Sequence, residues 1–119
     1  MSARTVTVPT LDIGDVLVPA PAWCAGHDEA PGLLVDLTHR GAEQLLGTNE
    51  FTVGMAQFTQ HPYSPRDRST GLFIEPTGDP GTLGPSEADL YAAALVEAAG
   101  QVRQMARWLA IIRGPKGGA

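Results

Sequence analysis

The residues best equipped for chemistry in this 119-residue chain are its one cysteine and its three histidines. Cys24, His27 and His39 are spaced Cys-x₂-His-x₁₁-His, and His61 follows as a candidate fourth group. Thiolate sulfur beside imidazole nitrogen is a donor set that suits Zn²⁺, and a two-residue gap lets the first two ligands reach one tetrahedral ion from a tight turn. Asp28 or Asp36 offers an oxygen to the same ion. A loop-rich chain gains from a staple, so a closed structural site is expected ahead of an open catalytic one. Against a metal, the second pair of a zinc-finger pattern is missing, and a lone cysteine is often just a small buried hydrophobe.

The same residues permit nucleophilic chemistry, with Cys24 attacking, His39 or His61 as base and Asp36 orienting it. Nothing in the sequence supports that arrangement: there is no nucleophile elbow and no protease signature, so no catalytic residue is assigned. Gly78-Asp79-Pro80-Gly81 is turn chemistry and not a phosphate-binding loop.

Charge narrows the partners. The formal net charge is −5. No acidic residue follows Glu97, while Arg103, Arg107, Arg113 and Lys116 contribute +4, so the first 97 residues carry −9. An acidic pI near 4.9 opposes broad contact with nucleic acid phosphates, even though Trp108 stands among the arginines. The cationic end also complements the C-terminal pole of a helix.

One cysteine excludes an internal disulfide and suits a reducing compartment. The N-terminus shows no signal-peptide core, and no apolar run approaches the roughly 20 residues of a membrane span. A cytoplasmic, soluble protein of one domain is expected.

Several short elements must position those side chains. Residues 3–8 alternate in the manner of a half-buried strand that Pro9 stops, and 16–18 is a second β-branched run. Residues 32–38 read as a strand or a helical turn, with their Leu and Val content behind a Pro-Gly leaning towards strand. Residues 51–60 and 71–75 read as a hairpin with a long tip, with Gly54 or the Ala56-Gln57 step carrying a bulge. Residues 43–46 are too short to assign.

Residues 86–113 read as one long helix, capped by Ser86 and Asp89 and ended by Gly114-Pro115, with a frayed tail over 114–119. Ala88, Leu95, Val102 and Leu109 share one register, and Tyr91, Ala98, Met105 and Ile112 the next. That spacing keeps an apolar seam on one side. A helix this long spans roughly 40 Å, more than a small domain is wide, so it either breaks at Gly100 or projects. Its end, Trp108–Ile112, is apolar all round. Self-association through Tyr91, Leu95, Ala98, Val102, Met105, Trp108, Leu109 and Ile112 is therefore expected, with Ala92, Ala99 and Ala106 allowing close approach. The alternative is burial of the helix in its own sheet.

Pro21-Ala22-Trp23-Cys24 with His27, Thr38-His39-Arg40-Gly41, Gln60-His61-Pro62-Tyr63 and Gly84-Pro85-Ser86-Glu87-Ala88 occur in that order. Over residues 20–100 the chain resembles a family of small actinobacterial proteins known only as a domain of unknown function. The resemblance implies an actinobacterial source and no established activity, and it draws Trp23, Cys24, His27 and His39 together.

The expected fold is α+β: a small antiparallel sheet of about four short strands (residues 1–85) with one long C-terminal helix (86–113) packed on it. The expected function is a non-enzymatic interaction or regulatory module, with dimerisation through its helix and stabilisation by zinc as options the sequence leaves open. The alternative is a small metal- or cysteine-dependent enzyme built on Cys24, His27 and His39.

Overall fold

The computed structural model describes residues 4–114. All but Gly114 of the expected tail at 114–119, and the first residue of the expected strand at 3–8, lie outside that range. The architecture is α+β, with antiparallel sheets and one long helix across the larger of them.

Strands β1 (Arg4–Thr10) and β2 (Gly14–Ala20) form a two-stranded antiparallel ribbon. Pro9 does not end β1, as the sequence suggested, but pairs with Asp15 inside it. A two-stranded ribbon leaves each strand one unpaired edge, where the amide proton that proline lacks is not needed. Val8 and Val18 turn inward and meet Leu37 in a small core that Tyr63 flanks. Leu34–Asp36 is a single 3₁₀ turn instead of a strand. Asp12 explains part of that outcome, because its side chain accepts from Leu34 N–H at 3.1 Å and holds the turn against the ribbon.

The second sheet is built on β5 (Thr52–Gln60). Strands β3 (His39–Arg40) and β4 (Gln44–Gly47) share one of its edges, and β6 (Gly71–Pro76) takes the other. The hairpin expected over 51–75 is present, with Gly54 to Thr59 paired against Pro76 to Gly71. The register irregularity lies at Leu46/Gly47 on β4, not at Gly54 or Ala56-Gln57. There the Gln101 side chain accepts from Gly47 N–H at 2.8 Å and donates to Gly47 O at 3.2 Å, so a helix residue satisfies the backbone the break exposes.

Helix α1 (Pro85–Arg113) runs unbroken through Gly100. Glycine costs only about 1 kcal/mol in a helix, less than the packing on either side restores. The N-cap is Gly84 and not Ser86: Pro85 takes the first helical position, and Glu87 accepts from Gly84 N–H at 3.2 Å. Gly114 closes the other end, its N–H reaching the Ala110 and Ile111 carbonyls. Ala98 and Met105 are buried with Leu46 and Ala56, and Val102 packs beside them. Part of the seam expected at an interface is thus covered by the chain's own sheet. Tyr91 meets Phe51 edge-on, with ring centres 5.4 Å apart. Leu109 and Ile112 are half-buried, whereas Leu95, Trp108 and the column of Ala92, Ala99 and Ala106 are exposed.

Candidate metal centre

The segment between β2 and β3 carries Cys24 and His27. Cys24 N–H donates to Pro21 O at 3.0 Å, and Ala25 N–H donates to Arg40 O at 2.8 Å, so the turn is tied to β3. Cys24 also bridges to Gly41 across that strand. Gly26 adopts φ +112°, a conformation L side chains rarely take, and this lets the chain reverse within the two-residue gap so that His27 points back at Cys24. His39 comes from β3, where it pairs with Gln60. Gly41 sits close as well: a Cβ there would meet Trp23 O at 3.3 Å, so the Trp23-Cys24 backbone would have to give way by a few tenths of an ångström. The Trp23 ring rests on Phe58 at 6.1 Å between centres.

Three donor atoms converge. Cys24 Sγ lies 3.6 Å from His27 Nε2 and 3.6 Å from His39 Nδ1, and the two nitrogens are 3.1 Å apart. A tetrahedral Zn²⁺ with ordinary bond lengths sets sulfur and nitrogen about 3.5 Å apart and two nitrogens about 3.3 Å apart. The triangle therefore has the size an ion of this kind needs, and the group can hold a metal. Cys24 and His39 are buried, at 4% and 1% exposure, and the His27 side chain is 5% exposed.

The surroundings favour a neutral imidazole at His39. Burial, then the neighbouring His27, then Arg4 hold His39 below the ordinary histidine pKa, so it keeps a lone pair for a ligand. The Pro19 carbonyl pulls the other way, more than Arg4 adds, and His39 Nε2 is buried without a hydrogen-bond partner among the described residues. Behind His27, Glu29 Oε1 sits 3.2 Å from Nδ1, and the Arg40 guanidinium is 4.0 Å from the same carboxylate. For Glu29, desolvation acts upward, but its hydrogen bonds and the charges of His27 and Arg40 prevail and lower its pKa. A carboxylate behind a ligating imidazole fixes the ring's orientation and raises its basicity. Arg4 adds a guanidinium that donates to Cys24 O at 2.7 Å.

His61 is not in the group. Its Nδ1 lies 2.9 Å from Thr38 Oγ1, on the rim of the smaller core. Neither Asp28 nor Asp36 supplies an oxygen, since the group among the described residues is Cys24, His27 and His39 alone. Sequence reasoning missed Glu29 and Arg4. Glu29 had a faint signal in its place two residues after His27, while Arg4, 20 positions before Cys24, had none.

A cleft of about 140 Å³ opens beside the group, lined by His27, Glu29, Thr38 and Arg40 over the apolar Val8 and Leu37. No described helix is long and apolar enough to cross a membrane. A family model described as "Domain of unknown function (DUF6907)" matches residues 5–111. No curated protein and no solved structure matches the chain.

Proposed function

We propose, for a chain that belongs to the DUF6907 family of domains of unknown function, a zinc-stapled and non-enzymatic interaction module. The observation that carries the zinc reading is the donor triangle of 3.6, 3.6 and 3.1 Å with a carboxylate placed behind one imidazole. One thiolate and two neutral imidazoles make an intermediate-to-soft set that suits Zn²⁺ better than Mg²⁺ or Ca²⁺, which prefer oxygen. The ion would tie the turn at Cys24–His27 to strand β3, and so join the ribbon's core to the core beneath the helix.

The test is metal content by native mass spectrometry on protein purified without chelator or a histidine tag. One zinc per chain, lost in Cys24→Ser, is expected. Folded wild-type protein without metal, which also fails to take up added zinc, would end this reading.

For the partner, a second copy of the chain is the occupant that fits the outer face of α1. Ala92, Val96, Ala99, Ala106 and Ala110 line one exposed flank at alternating spacings of three and four, with Arg103 among them. The first half of the helix carries Glu87, Asp89 and Glu97, and the second half Arg103 and Arg107. An antiparallel pair sets the acidic half of each helix against the basic half of the other. Val96 is 75% exposed, so Val96→Glu leaves the core untouched. Light scattering should give a dimer for the wild type and a monomer for that variant. A monomeric wild type at high concentration refutes the pairing.

A further inference from the structure

A tetrahedral ion takes four donors, and the described residues bring three together. Its only cysteine and two of its three histidines are in the group, and the third histidine is engaged with Thr38. The carboxylate that contacts the group, Glu29, addresses Nδ1 of His27, whereas it is Nε2 that faces Cys24 Sγ. Residues 1–3 and 115–119 contain no Cys, His, Asp or Glu that could complete the set.

Charge says what the missing donor is like. Zn²⁺ with one thiolate and two neutral imidazoles leaves one net positive charge among side chains that are 5% exposed or less. An uncompensated charge in such a place is costly. Arg4 adds further positive charge where it donates to Cys24 O at 2.7 Å, and Glu29 is already shared between His27 and Arg40. An anion is the donor that neutralises the site. The adjoining cleft, which His27 lines, is about 140 Å³, far below the roughly 300 Å³ at which ligand pockets for larger molecules begin. On its wall the Arg40 guanidinium attracts a small anion, beside the carboxylates of Glu29 and Asp36, while the Thr38 hydroxyl is engaged with Asp36 O and His61.

We propose that the fourth coordination position is open and takes a small monodentate anion from solvent, admitted past His27 from this cleft. The proposal rests on the zinc reading above, and it makes the staple a ligand-accepting centre in place of a closed one.

The test uses the full chain loaded with Co²⁺, a spectroscopic stand-in for zinc, and sodium azide as the probe anion. A sulfur-to-cobalt charge-transfer band in the near ultraviolet, absent in Cys24→Ser, reports that the metal sits on the thiolate. Azide should then shift the visible d–d bands saturably while the charge-transfer band persists. Visible bands that do not move at large molar excess of azide overturn the open position and leave the metal reading standing. Loss of every band on adding azide overturns it too, since the ion would then have left. A wild-type chain that shows no charge-transfer band refutes the metal reading itself.

Discussion

At the scale of single residues, His39 carries the tightest constraints. Its ring is 1% exposed and its pKa lies below the usual histidine value, first through burial and then through His27. The unfolded chain takes up a proton near pH 6.5 while the folded ring resists it, so below that pH the unfolded state binds more protons. Stability of the metal-free chain should therefore be complete above about pH 6.5 and fall as the solution is acidified. Urea midpoints at pH 7.5 and pH 5.5 check this, and a higher midpoint at the lower pH would contradict the burial argument. Glu29 makes a second prediction. Glu29→Gln keeps the side chain's size but weakens its hold on His27 Nδ1, and should lower metal affinity by roughly 10- to 100-fold with the fold intact. Competition with a chromogenic chelator measures it; unchanged affinity would mean that Glu29 is only a surface carboxylate. The run Thr38-His39-Arg40-Gly41 makes sense at this scale as well. Thr38 engages His61, His39 points into the donor group, Arg40 O receives Ala25 N–H, and Gly41 makes room for Trp23.

The elements differ in how much of them local sequence dictates. Helix α1 was legible almost to its ends, because its apolar residues recur with helical spacing and Gly114 terminates it. Nothing lies within 4 Å of a Cβ built on Gly100, so Gly100→Ala should raise stability by about 1 kcal/mol through helix propensity alone. Chemical denaturation reads the gain, and a loss would mean that the helix bends there. In the other direction, Gln101→Ala removes both hydrogen bonds to Gly47 and should cost about 1–3 kcal/mol, because it strands backbone groups at the register break. The β5–β6 hairpin was equally readable from its alternation. Strand β4 and the 3₁₀ turn at Leu34–Asp36 were not, since four and three residues are too few for a period to show. Their conformations come from partners distant in sequence, Gln101 for the one and Asp12 for the other.

At the scale of the whole molecule, the described residues form two small cores. One holds Val8, Val18 and Leu37, and the other Leu46, Ala56, Ala98 and Met105. The donor triangle belongs to the stretch of chain between them, from the end of β2 to β3. Zinc bound there would couple the two, so its removal by chelator should act unevenly. Hydrogen exchange is expected to speed up most over residues 21–41 and the β1–β2 ribbon, and least over β5 and α1. A uniform rise along the chain would mean that the two cores unfold as one. The apolar helix end has a place in this picture too: half of it faces the sheet, while Trp108 at 46% and Ile111 at 75% exposure face outward.

The sequence by itself determined the helix and its stop, the central hairpin, the α+β class, and the local Cys-x₂-His turn, because each rests on neighbours within a few residues. It also restricted the metal chemistry, since a chain with one cysteine and three histidines has few donors to offer. Only the tertiary structure decided which histidine joins the pair. His39 and His61 are alike in composition, but β3 brings His39 Nδ1 to 3.6 Å from Cys24 Sγ while Thr38 engages His61 at 2.9 Å. It likewise decided that Ala98 and Met105 serve the chain's own core and the alanine column does not. The reason is the same in both cases. Spacing along a chain fixes which side chains can share a turn, whereas strand pairing and helix docking fix which distant ones share a volume.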